Sequence, residues 1–313
     1  MKHRVKRAVA TLLLPLFVVS CGGKQSSEGS EKLSTPNGKN VILFVIDGPR
    51  HTEAFDDPTH QYIPRMWNDL RPLGAIIPGF RNDGLTLTNP GHASILTGTW
   101  QHIANNGSER PTRPTVFEYY RRAYGVAKKD TYVVAGKQKE YALSYSTHPE
   151  FGRDFGATEQ ASNISDRVVY NNLISVLQTD KPRLVLACFA SVDRAGHSGN
   201  WSDYLSSLST VDSLLFETWN FLQSDPFYAG KTYLIMSNDH GRHDDDHGGF
   251  ENHGDDCEGC RKIMFLALGP GIKKNYTTGN VYTQRDICDT VGKILEFPAL
   301  YSEASVIEEI FSE

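Results

Sequence analysis

The 313-residue chain has no excess of positive charge: 32 lysines and arginines stand against 37 acidic residues, for a formal net charge of -5. Its basic residues are scattered, so no standing field collects nucleic acid, which is excluded as a resident partner. Long apolar runs are also missing where one is most expected. The stretch from Ala8 to Val19 is too short to cross a hydrocarbon core of ~30 Å, which takes about 20 residues. No internal repeat is present, so solenoid and propeller architectures drop out. At 39% hydrophobic and 22% charged, the remaining chain is long enough for one large core.

The residues at the amino end read "MKHRVKRAVATLLLPLFVVSCGG". A basic segment (Lys2, His3, Arg4, Lys6, Arg7), an apolar stretch and a small residue make a secretory signal. "VVSC" resembles the lipobox of bacterial lipoproteins. That resemblance implies a signal peptide over 1–20 and Cys21 as the acylated first residue, holding the protein to a membrane of the bacterial cell envelope. Residues 21–39, rich in Gly, Ser and charge, are expected to be a flexible tether. Of the other four cysteines, Cys188 and Cys288 sit in apolar surroundings, as buried spacers do. Cys257 and Cys260 form a C-x-x-C with no second pair to complete a four-thiolate zinc module. In an exported protein a local disulfide fits that spacing equally well.

From Val41 onward, short continuous apolar runs alternate with helical patterns. "VILFVI", "TYVVAG", "LVLACFA", "TYLIM" and "IMFLALG" have the length and β-branched content of strands buried on both faces. "QYIPRMWNDL", "TVFEYYRRAY", "ISDRVVYNNLISVLQT", "WSDYLSSLSTVDSLLFETWNFLQ" and "TQRDICDTVGKILEF" carry apolar residues at three- and four-residue spacing, as helices do. The alternation predicts an α/β domain over 40–313, a three-layer sandwich whose mostly parallel sheet is covered by helices.

Polar clusters follow three of the strands. "VILFVI" runs into Asp47, "LVLACFA" into Asp193, and "TYLIM" into Asp239 and His240. Ligands bind outside the carboxyl ends of parallel strands, so three strands deliver carboxylates to one edge. Asp193 and His197 in "DRAGH" are four apart and face the same way if the segment makes a helical turn. In "LTNPGHASILTG", Thr88 precedes a helix start whose N–H groups would favour a phosphate. Thr88 as a simple cap fits the same pattern. His243, His247 and Asp244 to Asp246 lie in a polar, glycine-flanked run expected to be a solvated loop.

In order, "DGPR", "LTNPGH", "DRAGH", "NDHG" and "NHGDDCEGC" before "FLALGPGI" resemble the alkaline phosphatase superfamily, in particular its nucleotide pyrophosphatase/phosphodiesterase and phosphonoacetate hydrolase branches. The similarity spans most of residues 41 to 270. It implies two divalent metal ions, zinc by that resemblance, with Asp193, His197 and His253 around one and Asp47, Thr88, Asp239 and His240 around the other. His247 is the alternative to His253. Thr88 would be the nucleophile, because a coordinated divalent ion can generate an alkoxide that threonine alone does not form at neutral pH. The product of its attack is a phosphothreonine, which water then cleaves. Asn105 or Asn106 would donate to the phosphoryl oxygen, with Asn105 preferred, and His92 would support the nucleophile loop. Arg50 matches a structural residue. Lys137 and Lys139 in "VAGKQKEY" are expected to be solvated, with substrate binding as the alternative.

These residues imply an exported hydrolase of small phosphate esters, a phosphodiesterase or phosphomonoesterase. A sulfatase would carry cysteine or serine, oxidised to formylglycine, where Thr88 stands. A phosphonate hydrolase, or a non-catalytic lipoprotein binding metal or glycan on the same fold, are the alternatives.

Overall fold

The computed structural model describes Met1 and residues 36–312. The expected signal peptide, Cys21 and residues 21–35 lie outside the described residues. Of the segment expected to be a tether, residues 36–39 are described. Asn37 Nδ2 donates to Ile294 O at 2.9 Å and Lys39 Nζ pairs with Glu296 Oε1 at 3.3 Å, so these residues already dock on the domain. Among the described residues no helix is long and apolar enough to cross a membrane.

In chain order the strands are β1 (Asn40–Ile46), β2 (Ala75–Ile76), β3 (Phe80–Arg81), β4 (Thr131–Ala135), β5 (Thr158–Ala161), β6 (Leu184–Phe189), β7 (Thr232–Asn238), β8 (Phe265–Leu268), β9 (Tyr276–Thr277) and β10 (Tyr282–Thr283). The helices are α1 (Thr88–Thr97), α2 (Val116–Tyr124), α3 (Asp166–Thr179), α4 (Ser191–His197), α5 (Trp201–Ser224), α6 (Glu258–Arg261) and α7 (Asp286–Leu295). Eight strands form one sheet in the order β5-β4-β6-β1-β7-β8-β2-β9, and β3 and β10 pair apart from it. Within the large sheet only β8 runs against its neighbours.

The apolar runs form strands because both faces are covered. Val41, Leu43 and Val45 of β1 face a core built with α1, α2 and α7, while Ile42, Phe44 and Ile46 face the opposite core with α3 and α5. This is the expected three-layer sandwich. The exits of β1, β6 and β7 align because the strands are parallel and in register, Ile46 opposite both Phe189 and Asn238. Asn238 locks that edge: its Nδ2 donates to Ile46 O at 3.0 Å and its Oδ1 accepts from Met264 N at 2.8 Å. The reversal of β8 matters for the site. It brings the chain that precedes β8, with His253, to the same edge as the carboxyl ends of the others.

One expected helix differs. "QYIPRMWNDL" forms only a wide helical turn over Arg65–Leu70, after Pro64, because a proline cannot continue a helix from its amino side. Asp212 of α5 caps this turn, its Oδ2 and Oδ1 accepting from Arg65 N at 2.9 Å and Met66 N at 2.7 Å. Burial raises the Asp212 carboxyl from 3.8 to about 6, against those two N–H donors. Because the folded value lies above the unfolded one, its contribution to stability is full below the unfolded value and is lost as pH rises through the folded value. Between pH about 4 and about 7 the domain is therefore expected to lose up to about 3 kcal/mol from this group. Denaturant titrations of the wild type and Asp212→Asn across that window check it: the variant should lack this slope, and equal slopes would remove Asp212 as its source.

Candidate active site

Each acidic or histidine cluster at the sheet edge is placed by its own strand exit. Asp47 follows β1 directly and is fully buried, with Gly48 next to it at φ +65°. A Cβ on Gly48 would meet Arg242 Nη1 at 2.9 Å and Asp193 Oδ1 and His240 Cε1 at 3.0 Å, so the turn has room only for glycine. Asp239 and His240 follow β7 and are fully buried as well. Asp193 and His197 lie on α4, whose helical turn places them on one side as their spacing predicts. The loop before it is held by Asp166 Oδ1, which accepts from Ala190 N at 2.9 Å and Ser191 N at 3.0 Å.

The structure brings the expected ligands into two adjacent clusters. Asp47, Asp239 and His240 form one, and Asp193, His197 and His253 the other, with the ligand atoms of each within 4.8 Å of one another. In the first, His240 Nε2 lies 3.4 Å from both Asp47 Oδ1 and Asp239 Oδ2. In the second, His197 Nε2 and His253 Nε2 are 3.0 Å apart, and each is near Asp193 Oδ1, at 3.3 and 3.4 Å. The rings of His240 and His253 stack at 3.8 Å, which joins the clusters. His253 is thereby placed in the site, while His247 bonds Asp255 Oδ2 at 2.9 Å elsewhere.

Thr88 opens α1 and points at the same edge. Its Oγ1 accepts from Lys137 Nζ at 3.2 Å and caps no helix N–H; Leu87 is the capping position, without a side-chain cap. The expectation of free N–H groups at this helix start needs a correction, since Asn89 N is already used by Asn105 Oδ1 at 2.9 Å. That bond sets Asn105 beside Thr88, whereas Asn106 is exposed and accepts from Ser108 N. His92, one turn along α1, bonds Thr88 O through Nδ1 at 2.9 Å and comes within 3.3 Å of Asp239 Oδ2. It supports the loop and the carboxylate together. Helix α1 presses directly on the β7 exit: a Cβ on Gly91 would meet Asp239 O at 2.4 Å.

Two cations here were not legible in the sequence. Lys137, expected to be solvated, is largely buried, with Nζ 2.5 Å from Asp47 Oδ2 and 2.6 Å from Asp193 Oδ2. Burial opposes its charge, but those two carboxylates outweigh it and raise the ammonium above its ordinary value. Arg242 is fully buried and donates through Nη1 to Asp193 Oδ1 at 2.5 Å and through Nη2 to Glu251 O at 3.0 Å. It fits because Gly196 of α4 has no side chain, a Cβ there reaching Arg242 Cζ at 2.6 Å. Arg50 is structural as expected, paired with Glu53 and Asp245.

His253 and Asp47 hold protonation states that suit ligation, whereas at His240 burial is outweighed by the carboxylates of Asp239 and Asp47, which raise the imidazole, and a bound cation would displace that proton. Burial and the neighbouring His240 charge hold the His253 imidazole down at about 3, so its ring nitrogen stays an acceptor. Asp47 is held below its ordinary range: burial raises it, and Lys137 more than offsets this. Among the described residues, buried Asp47 Oδ1, Asp239 Oδ2 and His240 Nε2 have no hydrogen-bond partner; Asp47 Oδ2 meets Lys137, and Asp239 Oδ2 meets His92, as close pairs without hydrogen-bond geometry. Buried polar atoms of this kind are nearly always satisfied, so several converging on one point fit a cation between them.

Beside the clusters opens a cavity of about 780 Å³ lined by Lys137, Lys139, Arg194, Asn106, Tyr141 and Ser191 among others, with three cations and no carboxylate. Lys139 Nζ donates to Asn105 Oδ1 at 2.9 Å. The cavity thus joins the Thr88 loop to a pocket lined by basic side chains.

No family model matches the chain. Among curated proteins, it is 22% identical over 273 residues to GPI ethanolamine phosphate transferase 1 of Yarrowia lipolytica, covering 78% of this chain and 28% of that protein. It is 30% identical over 83 residues to a 2,3-bisphosphoglycerate-independent phosphoglycerate mutase of Nitrosococcus oceani, covering 26% of this chain and 15% of the relative. The chain therefore spans less than a third of either. Among solved structures, murine ectonucleotide pyrophosphatase/phosphodiesterase 5 superposes with a TM-score of 0.66 at 16% identity, over 88% of this chain and 100% of that one. The same murine protein is also described as an inactive threonine-to-alanine form in complex with AMP. Phosphonate monoester hydrolase of Agrobacterium radiobacter gives 0.66 at 13% identity, over 88% and 78% of the two chains. A 2-O glycosaminoglycan sulfatase gives 0.65 at 14%, over 86% and 73%.

Proposed function

Because the chain has the fold of the alkaline phosphatase superfamily, shared by phosphodiesterase, phosphonate hydrolase and sulfatase neighbours, we propose that it is a metal-dependent hydrolase of phosphate esters that prefers monoesters. The observation that carries this reading is the cationic cavity that begins at Lys137, 3.2 Å from Thr88 Oγ1. A monoester carries more negative charge than a diester, and a pocket lined by Lys139 and Arg194 with no carboxylate of its own, Lys137 being held between Asp47 and Asp193, rewards it. Thr88 in place of an oxidisable cysteine or serine argues against a sulfatase. Among the neighbours, the murine one described as inactive has lost a threonine to alanine.

Asp47, Thr88, Asp239 and His240 would hold one divalent ion, and Asp193, His197 and His253 the other; mixed carboxylate and imidazole donors suit zinc in catalytic sites. When bound, the ions supply Lewis-acid charge that acidifies the threonine hydroxyl and water and neutralises phosphoryl oxygens. Thr88 Oγ1 attacks phosphorus in line as the alkoxide departs, its proton passing by way of solvent to that alkoxide to give the alcohol; water then displaces Thr88 Oγ1, one of its protons restoring the threonine hydroxyl as phosphate is released. Asn105, held by Asn89 N and Lys139, would donate its amide N–H to a phosphoryl oxygen. Lys139 would bind a second oxygen from the cavity side.

Initial rates on mono- and bis-nitrophenyl phosphate test this. The monoester is expected to give the higher kcat/KM, and Lys139→Ala to lower the monoester value about 10-fold, as for one charge-assisted hydrogen bond. The diester value should fall much less. A higher diester rate, or equal losses on both substrates, would overturn the monoester preference.

A further inference from the structure

The residues between the β7 exit and β8 carry a second group of metal-ligating side chains, outside the site just described. His243, Asp255, Cys257 and Cys260 each present one ligand atom, all within 4.8 Å of one another. The expected solvated loop is solvated only in part. Asp245 and His247 are exposed, but His243 is mostly buried, and its Nε2 is buried without a hydrogen-bond partner although Asp255 Oδ2 lies 3.1 Å away. Cys260 is fully buried, and both sulfurs are free thiols.

Local sequence explains why these four meet. Cys257 caps the short helix α6, and its Sγ accepts from Cys260 N at 3.4 Å, which turns the two sulfurs toward one side. Gly259 between them lets the start of the loop lie directly on this turn. A Cβ there would meet Arg242 O at 2.4 Å, and one on Gly241 would meet Gly259 O at 2.0 Å. Gly241 N donates to Cys260 O at 2.8 Å and His243 N to Asn252 O at 3.0 Å, so His243 is carried onto the cysteine pair. Asp255 Oδ1 accepts from Cys257 N at 3.0 Å, which leaves Oδ2 facing His243. His247 Nε2, 2.9 Å from the same Oδ2, stands behind the carboxylate as an orienting partner.

We propose that His243, Asp255, Cys257 and Cys260 form a structural zinc site, a third metal position on this chain. Two sulfurs, one imidazole and one carboxylate make a closed set of four protein donors of the kind zinc takes in tetrahedral sites, with no position left for substrate. Two thiols in an otherwise oxygen- and nitrogen-rich loop favour zinc over calcium or magnesium. On binding, each thiol loses its proton to solvent and no electron is transferred. The ion would tie the first residues after His240 to the residues just past His253. The loop that carries His253 would then be stapled at its base.

The test is cobalt substitution of the full-length chain in the thiol-reduced state. Cobalt bound to thiolate gives a near-ultraviolet charge-transfer band, and neither cluster of the proposed active site contains sulfur. The wild type should show the band with the intensity of two cobalt–sulfur bonds per chain. Cys257→Ser or Cys260→Ser should halve it, and the double variant should lose it together with one equivalent of bound metal. Thr88→Ala should leave it unchanged, which separates this site from the catalytic reading. Absence of the band from wild-type protein whose thiols titrate as free would overturn the proposal. So would a Cys257–Cys260 disulfide in the protein as purified. Both readings come from the wild type, so they hold even if the cysteine variants fold poorly.

Discussion

Thr88→Ala is expected to lower kcat/KM on nitrophenyl phosphate by roughly 10³-fold or more, because the proposed covalent route loses its nucleophile and the other groups cannot replace it. The fold should hardly notice. Thr88 is almost fully buried, but its hydroxyl has a single side-chain partner, Lys137 Nζ, which retains Asp47 and Asp193 as stronger ones. Thermal unfolding is therefore expected to shift by no more than about 1 kcal/mol in stability. Metal content should also persist, since Asp47, Asp239, His240, Asp193, His197 and His253 remain. Thr88→Ser, which keeps a primary hydroxyl at the same place, should retain far more activity than the alanine variant. Wild-type rates in Thr88→Ala would mean that water attacks directly and that Thr88 only lines the site.

The contrast between what the sequence showed and what it hid has a physical pattern. Strands β1, β4, β6 and β7 were legible because both faces are buried, which leaves continuous apolar runs that end abruptly in polar residues. The same abrupt endings located Asp47, Asp193, Asp239 and His240. Two-residue strands such as β2 and β3 offer no pattern at all. Lys137 and Arg242 were hidden for a different reason: each is buried by partners far along the chain. Lys137 meets carboxylates delivered by β1 and β6, and Arg242 meets Asp193, 49 residues away. Long polar side chains default to solvent unless such partners exist. His243 was misjudged because its neighbours Asp244, Asp245 and Asp246 look like a wet loop. Its burial depends on a glycine, Gly259, that allows two backbone segments to touch.

Asp193→Ala should behave differently from Thr88→Ala, losing both activity and stability. Asp193 is nearly buried and meets two cations at once, Arg242 Nη1 at 2.5 Å through Oδ1 and Lys137 Nζ at 2.6 Å through Oδ2, with His197 and His253 at its edge. Removing it leaves the guanidinium of Arg242 inside the domain with backbone carbonyls as its main partners. An orphaned buried charge of this type costs about 3 kcal/mol or more. The second proposed ion would lose its only carboxylate, so turnover should fall roughly 10³-fold, in line with the loss of a Lewis acid worth several kcal/mol. Measuring denaturant unfolding after chelation separates the two effects, because bound metal then contributes nothing to either protein. The double variant Asp193→Ala with Arg242→Met should recover much of the lost stability and none of the activity. If the single variant unfolds like the wild type, Arg242 finds another counter-charge and Asp193 serves only as a ligand.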